Sequence, residues 1–235
     1  MRKVNLIYEG KAKKVYATDD PDLLIVSYKD DATAFNGLKR GTIEGKGVIN
    51  NRMSNILMAK LEEAGVPTHF VRELSERDTL VKKVKIVPLE VIVRNISAGS
   101  FAKHYGVQEG IIFEEPTIEF SFKNDELGDP LINDYQAIAL GIATRAEIDT
   151  ITKYAFTVNE ILRALWASRG VTLVDFKLEF GKTLGGTIIL ADEISPDTCR
   201  LWDSETGKKL DKDRFRRDLG GVEEAYQEIM RRLFD

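Results

Sequence analysis

Asp175, Lys177 and Glu179 stand at i, i+2 and i+4 in the run Leu173-Val174-Asp175-Phe176-Lys177-Leu178-Glu179-Phe180-Gly181, with apolar Val174, Phe176, Leu178 and Phe180 between them. In a β-strand successive side chains point to opposite faces, so the three charges would form one row over an apolar backing. Most such strands are simply exposed sheet faces. The continuation of the chain sets this one apart. A second strand-like run, Thr187-Ile188-Ile189-Leu190-Ala191, ends in Asp192-Glu193, and Gly185-Gly186 lies between the two runs. A two-residue hairpin turn at those glycines, with positive φ at both, would pair Leu184 with Thr187 and bring Glu179 opposite Asp192. Like charges directly opposite are destabilising, and two carboxylates roughly 5 Å apart at Cβ call for a cation between them. A few hard oxygen ligands completed by phosphate describe Mg²⁺ on a nucleotide. A register slip of one residue would undo that pairing.

Three other segments have phosphate-binding chemistry. Gly10-Lys11-Ala12-Lys13-Lys14-Val15 is a glycine turn with a lysine cluster between two strand-like runs, where backbone N–H groups and an ammonium can hold an anion. Lysines in a hairpin are otherwise merely solvated. Pro88-Leu89-Glu90-Val91-Ile92-Val93-Arg94 is a strand ending in a bidentate-capable arginine, followed by Ser97-Ala98-Gly99-Ser100 at a helix start. An ordinary strand–helix connection with Ser97 or Ser100 as N-cap explains it equally well. Ser195-Pro196-Asp197-Thr198-Cys199-Arg200 and Asp211-Lys212-Asp213-Arg214-Phe215-Arg216-Arg217 read either as a surface salt-bridge network or as arginines reaching one anionic substrate. Gly41-Thr42-Ile43-Glu44-Gly45-Lys46-Gly47 imitates a P-loop but has three residues between its glycines, not four, and lacks the Ser/Thr, so it is rejected. His69 and His104 have no metal-ligand partner at a suitable spacing and are assigned structural roles. Cys199 has no histidine partner for thiol chemistry.

These residues need a scaffold. Strands are expected at 5–9, 13–17 and 23–28, and again at 69–74, 79–85 and 88–94 in the same sheet or at its edge. Helices are expected at about 46–64, with Ile49, Met53, Ile56, Leu57 and Leu61 on one face and Gly65 as its stop, and at 144–169 behind the capping box Thr144-Arg145-Ala146-Glu147. A last helix at about 218–233 would bury Leu219, Val222, Tyr226, Ile229 and Leu233. The division between lobes falls near 86–90, giving 1–87 and 88–235.

The 235 residues suffice for two lobes with substantial cores. The chain is 43% hydrophobic and 31% charged, with a formal charge of −4. That balance argues against a general nucleic-acid or anionic-membrane surface. The single Cys199 excludes an internal disulfide and suits a reducing, cytoplasmic setting. No apolar run reaches transmembrane length, and Met1-Arg2-Lys3-Val4-Asn5 lacks the apolar core of a secretory signal.

Together the segments resemble the family of phosphoribosylaminoimidazole-succinocarboxamide synthases, the SAICAR synthetases of de novo purine synthesis. The resemblance spans essentially the whole chain. It is most specific at Pro88–Ser100 and Leu173–Gly181, which match the family's two signature segments in order and separation. Gly10-Lys11-Ala12-Lys13, Lys123-Asn124-Asp125, Asp192–Asp197 and Asp211–Arg216 match as well.

The resemblance implies an α+β fold of two lobes, an N-terminal antiparallel sheet over ATP and a larger mixed lobe for a ribonucleotide. It implies that ATP, the carboxylated aminoimidazole ribonucleotide (CAIR) and L-aspartate give the succinocarboxamide ribonucleotide (SAICAR), ADP and phosphate, and that the enzyme is a homodimer. Lys11, Ala12 and Lys13 would meet the nucleotide phosphates. Lys82 would line the ATP cleft, on one face with Val84 and Ile86 if that strand is regular, and Ile86 would face adenine. Glu179 and Asp192 would hold Mg²⁺, while Arg94, Ser100, Arg200 and Arg216 would hold the ribonucleotide. Asp175 and Lys177 would lie nearest the reacting carboxylate, with Lys123 and Asp129 in the same cleft. Asn36 departs from members that carry Asp there, which puts a charge-dependent role at that position in doubt. The rival reading is a kinase-like small-molecule phosphotransferase, since Asp175 and Asp192 resemble a catalytic-loop and a metal-binding aspartate. Leu173-Val174 in place of His-Arg and Asp192-Glu193-Ile194 in place of Asp-Phe-Gly weigh against it.

Overall fold

The computed structural model describes residues 1–34 and 37–234, so Asn36 lies outside the described residues. Chain order is β1 (Leu6–Glu9), β2 (Lys13–Ala17), β3 (Leu23–Tyr28), β4 (Asp31–Ala34), β5 (Lys39–Thr42), α1 (Lys46–Glu63), β6 (Phe70–Glu73), β7 (Asp78–Lys82) and β8 (Lys85–Ile96). It continues with α2 (Gly99–Tyr105), β9 (Ile112–Phe122), β10 (Leu131–Ile132), α3 (Asp134–Ala139), α4 (Arg145–Ala167), β11 (Val171–Lys182), β12 (Ile188–Ala191), β13 (Cys199–Asp203), α5 (Asp213–Arg216) and α6 (Val222–Phe234).

Two antiparallel sheets and the β4–β5 hairpin organise these elements. The first sheet has the order β1-β2-β3-β7-β6, and the larger has β10-β9-β8-β11-β12 with β13 also beside β11. The period-two and 3.6-residue patterns place β1, β2, β3, β6, β12, α1 and α4 within a residue or two. Three placements change. The strand expected at 79–85 ends at Lys82. The stretch 88–94 is not in the first sheet. It belongs to β8, a central strand of the larger one, because Val87, Leu89, Val91 and Val93 are all buried on the α4 side while alternate residues face the cleft. The last helix begins at Val222 rather than 218, because Asp218, Gly220 and Gly221 all have positive φ. Leu219 is accordingly exposed rather than part of its apolar stripe.

α4 supports the larger sheet from behind. Its capping box forms as expected, Thr144 Oγ accepting from the Glu147 amide and Glu147 Oε2 from the Thr144 amide. Ile148, Ile151, Ala155, Val158, Leu162 and Trp166 pack into the core with Phe176, Leu178 and Phe180 of β11. The apolar residues between the charges of β11 thus anchor that strand, and the charged row is left to the other face. Among the described residues, no helix is long and apolar enough to cross a membrane.

Candidate active site

Strand register assembles the site. Along β11, Asp175, Lys177 and Glu179 lie directly opposite Arg94, Ile92 and Glu90 of β8, and Asp175 also lies opposite Arg200 of β13. Directly opposite residues share a face, so the expected charged row is real and is extended by a parallel row on β8. A cavity of about 890 Å³ covers this face.

The hairpin after β11 departs from the expected register. Its loop has three residues, Leu184-Gly185-Gly186, with the Thr183 amide donating to the Thr187 carbonyl and positive φ at Gly186 alone. A three-residue loop with a left-handed third residue is a standard alternative to the two-residue turn. Glu179 therefore faces Ala191, not Asp192. One residue of slip would ordinarily turn Asp192 to the opposite face. Instead β12 ends there, Asp192 takes a left-handed φ of 60°, and its carboxylate lines the same cavity as Glu179. The carboxylate directly opposite Glu179 is Glu90.

Ammonium groups stand among these acids. Lys177 Nζ donates to Glu90 Oε1 at 2.7 Å and to Glu179 Oε1 at 3.2 Å. Lys123 pairs with Glu179 Oε2. Lys13 pairs with Asp192 and, at 2.9 Å, with Glu193. Burial disfavours the charge on Lys13, but Asp192 and Glu193 outweigh it and hold its pKa well above the lysine range. Lys177 is raised in the same way, burial being overcome by Glu179, Asp192 and Glu90. Asp192 is driven low because Lys13 and Lys177 overcome its burial. Lys13, Lys177 and Asp192 are thus fully charged at neutral pH.

Arginines form the other end. Buried Arg94 donates Nη1 to Asp175 at 2.8 Å and Nη2 to Ser100 and Glu119, each at 2.9 Å. Arg200 reaches Asp175 at 2.9 Å through Nη1 and Asp213 at 2.9 Å through Nε. Arg216 donates to the other oxygen of Asp213 at 2.7 Å. Asp213 is buried, which would raise its pKa, but Arg200 and Arg216 bring it down to about 2. Asp211, just before α5, accepts from the Asp213 and Leu201 amides at 2.7 and 2.8 Å. Burial, with the Asp213 charge nearby, pushes its pKa up to about 7.

Lys11, Ala12, Lys13, Arg94, Ser100, Lys123, Asp129, Asp175, Lys177, Glu179, Asp192, Arg200 and Arg216 all border this one cavity. Lys82 and Ile86 are not among its lining residues. The strand expected to carry both is not continuous, since β7 ends at Lys82 and β8 begins at Lys85 in the other sheet. Lys82 Nζ instead donates to the Thr68 carbonyl at 2.9 Å and to Glu62 at 3.3 Å. The P-loop look-alike is an α1 N-terminus whose anion position is taken by the Asp30 carboxylate, which accepts from the Gly47 amide at 2.8 Å and pairs with Arg77. Burial lowers the His69 pKa to about 4 and pushes the Cys199 thiol far up.

Sequence reasoning passed over Glu90, Glu193, Asp213 and Lys46. Glu90 was readable, because it stands four residues before Arg94 in an alternating strand and so shares its face. Lys46 is fully buried and donates to Asp197 at 3.0 Å, on the same oxygen as Lys212. Nothing in its local sequence signals that.

The donor set suits one kind of metal. Among the described residues, no three His, Cys, Asp or Glu side chains converge on a metal-sized site, so an all-protein cage is not what this cleft offers. Two carboxylates, Glu179 and Asp192, with room for phosphate and water, fit Mg²⁺ carried on a nucleotide.

A model of the SAICAR synthetase family matches residues 6–233. The phosphoribosylaminoimidazole-succinocarboxamide synthase of Lachnoclostridium phytofermentans is 65% identical over 233 residues, covering 99% of each chain. That of Caldanaerobacter subterraneus subsp. tengcongensis is 64% identical with the same coverage. Among solved structures, the Ehrlichia chaffeensis synthase superposes with a TM-score of 0.96 at 46% identity, over 97% of this chain and 98% of that one. A SAICAR synthetase solved in complex with ADP superposes at 0.93 with 52% identity, over 96% of each chain. With cleft, fold and nearly the whole sequence in agreement, this chain belongs to the SAICAR synthetase family.

Proposed function

We propose that this chain joins CAIR to L-aspartate at the expense of ATP, giving SAICAR, ADP and phosphate in de novo purine synthesis. The observation that carries this reading is the polarity of one continuous cavity. Its β8–β11 face runs from carboxylates interleaved with lysines (Glu90, Lys177, Glu179, with Lys13 and Asp192) to arginines around Asp175. A nucleotide with its metal suits the first end, and a ribonucleotide phosphate suits the second. The names of the relatives, and the ADP in one of them, point the same way. We assign residues 1–87 to an N-terminal ATP-binding lobe and 88–235 to a substrate- and metal-binding lobe that carries Glu179 and Asp192, with a homodimer in the cytoplasm as the working form.

A carboxylate is a poor acyl electrophile, so amide formation requires activation. In the proposed route an oxygen of the CAIR carboxylate attacks the γ-phosphorus, ADP leaves, and an acyl phosphate results. The aspartate amine then adds to the acyl carbon, loses a proton and expels inorganic phosphate. Phosphoryl transfer asks for positioning and charge neutralisation rather than covalent help. Mg²⁺ held by Glu179 and Asp192 would supply part of that neutralisation. Lys177, kept protonated and fixed between Glu90 and Glu179, offsets charge growing on the transferred group at no cost of reorganisation. Lys11 and Lys13 steady the nucleotide phosphates. Arg94, Ser100, Arg200 and Arg216 fix the ribonucleotide, with Asp175 holding Arg94 and Arg200 at a common carboxylate. Lys123 and Asp129 complete the wall.

Coupled measurement of ADP release tests the assignment. ADP formation should require both CAIR and L-aspartate and keep step with the succinyl amide. ADP release with a hydroxyl acceptor and no aspartate would refute it.

A further inference from the structure

At the arginine end of the cavity each guanidinium already meets a carboxylate. Arg94, Arg200, Arg216 and Arg217 meet Asp175, Asp213, Glu119 and Glu109, four cations against four anions. A phosphate monoester brings a further charge of about −1.5 to −2 at neutral pH. To reach the donors these carboxylates now hold, it requires one of them to give way. Three of them are ill placed to do so. Asp213, Asp175 and Glu119 have side chains only 1, 5 and 12% exposed, and withdrawing one partner of a buried pair strands the other at high cost. Glu109 differs. It sits in the connection between α2 and β9, 32% exposed, against an Arg217 that is 36% exposed, and exposed pairs of this kind contribute little.

Neither Arg217 nor Gly99 is among the residues that line the cavity, but both adjoin residues that are, Arg216, Ser100 and Arg200, and Glu109 occupies their donors. Its carboxylate takes both terminal nitrogens of Arg217 and the Gly99 amide at 2.9 Å. Gly99 precedes Ser100 and lies so close to Arg200 that a Cβ there would come within 2.2 Å of its Nη2. Arg217 Nη2 lies 3.7 Å from the same Asp213 oxygen that holds Arg200 Nε. Hydrogen bonding to Arg217 keeps the Glu109 pKa at about 2 against some burial, so it is anionic throughout the working range.

We propose that Glu109 is a displaceable internal anion, and that Arg217 and the Gly99 amide are further contacts for the ribonucleotide phosphate, released when that phosphate displaces the Glu109 carboxylate. The inference rests on CAIR being the substrate of this cleft. Ribonucleotide binding then includes exchange of an exposed carboxylate for a phosphate on the same donors.

Steady-state kinetics of the whole enzyme with CAIR, ATP and L-aspartate test this. Glu109→Gln keeps the side chain's size and removes its charge, and should lower the KM for CAIR roughly two- to fivefold, the worth of an exposed pair. The KM values for ATP and L-aspartate should not move. Arg217→Ala should raise the KM for CAIR about tenfold, and Glu109→Gln should gain less in that background. A KM for CAIR that is unchanged or higher in Glu109→Gln overturns the proposal. Wild-type enzyme without CAIR-dependent ADP release would refute the functional reading and this inference together. Normal wild-type turnover with an unresponsive Glu109→Gln variant refutes only the inference.

Discussion

Glu90 and Glu179 lie directly opposite each other across β8 and β11, with the Lys177 ammonium donating to both. The carboxylate pair expected across the glycine hairpin is thus formed across the other edge of the same strand. Removing the ammonium should expose the repulsion. Lys177→Met is expected to destabilise the protein by about 1–3 kcal/mol, since two partly buried carboxylates lose a donor. Glu90→Gln in the same chain should recover a good part of that loss. Urea unfolding of the two single variants and the double variant measures the coupling, and strictly additive effects would contradict this picture.

Gly99 has a φ of +54° and nearly touches Arg200. Gly99→Ala should therefore act twice, through backbone strain of about 1–2 kcal/mol and by pushing the Arg200 guanidinium from its place. The expected result is a KM for CAIR raised by roughly an order of magnitude, with the KM for ATP little changed. Equal changes in both constants would mean that Arg200 is not at the ribonucleotide end.

Asp211 makes a pH prediction with a definite sign. Its carboxyl pKa rises from 3.8 to about 7 on folding, so between those values the folded state holds the proton more tightly than the unfolded one. The stability it contributes is complete below about pH 3.8 and is lost as pH rises through about 7. Asp211→Asn should flatten the fall in urea midpoint between about pH 4 and 7. An unchanged slope would show that some other group carries the proton linkage.

Glu179→Gln and Asp192→Asn probe the metal assignment. Each should leave the fold intact and sharply raise the Mg²⁺ concentration needed for half-maximal ADP release. Variants that respond to Mg²⁺ as wild type does would remove Glu179 and Asp192 from that role.

Features set by local physical signals were legible in the sequence. The β11 charge row, the α4 capping box and the glycine stop at Gly65 depend on residues within a turn or two of one another. The hairpin register does not. Gly185-Gly186 serves a two-residue turn and the Leu184-Gly185-Gly186 loop equally well, and only packing of Ile188 and Leu190 into the core chooses between them. β9 escaped notice because Glu114-Glu115-Pro116 reads as a breaker, while proline is tolerated on a strand whose outer edge is open. β10 pairs only with Phe120 and Ser121 and leaves that edge uncovered. The role of Asp213 depends on Arg200 arriving from β13, which is long-range information, whereas its pairing with Arg216 is a local i,i+3 contact within α5. In the Lys82–Ile86 segment the period-two argument failed because the chain changes sheets at Lys83-Val84.

The acyl phosphate is the central intermediate of the proposed reaction, and oxygen tracing addresses it directly. CAIR labelled with ¹⁸O at both carboxylate oxygens, turned over with ATP and L-aspartate, should transfer one labelled oxygen to each inorganic phosphate and leave the other in the amide of SAICAR. Inorganic phosphate free of ¹⁸O would contradict attack of the carboxylate on the γ-phosphate.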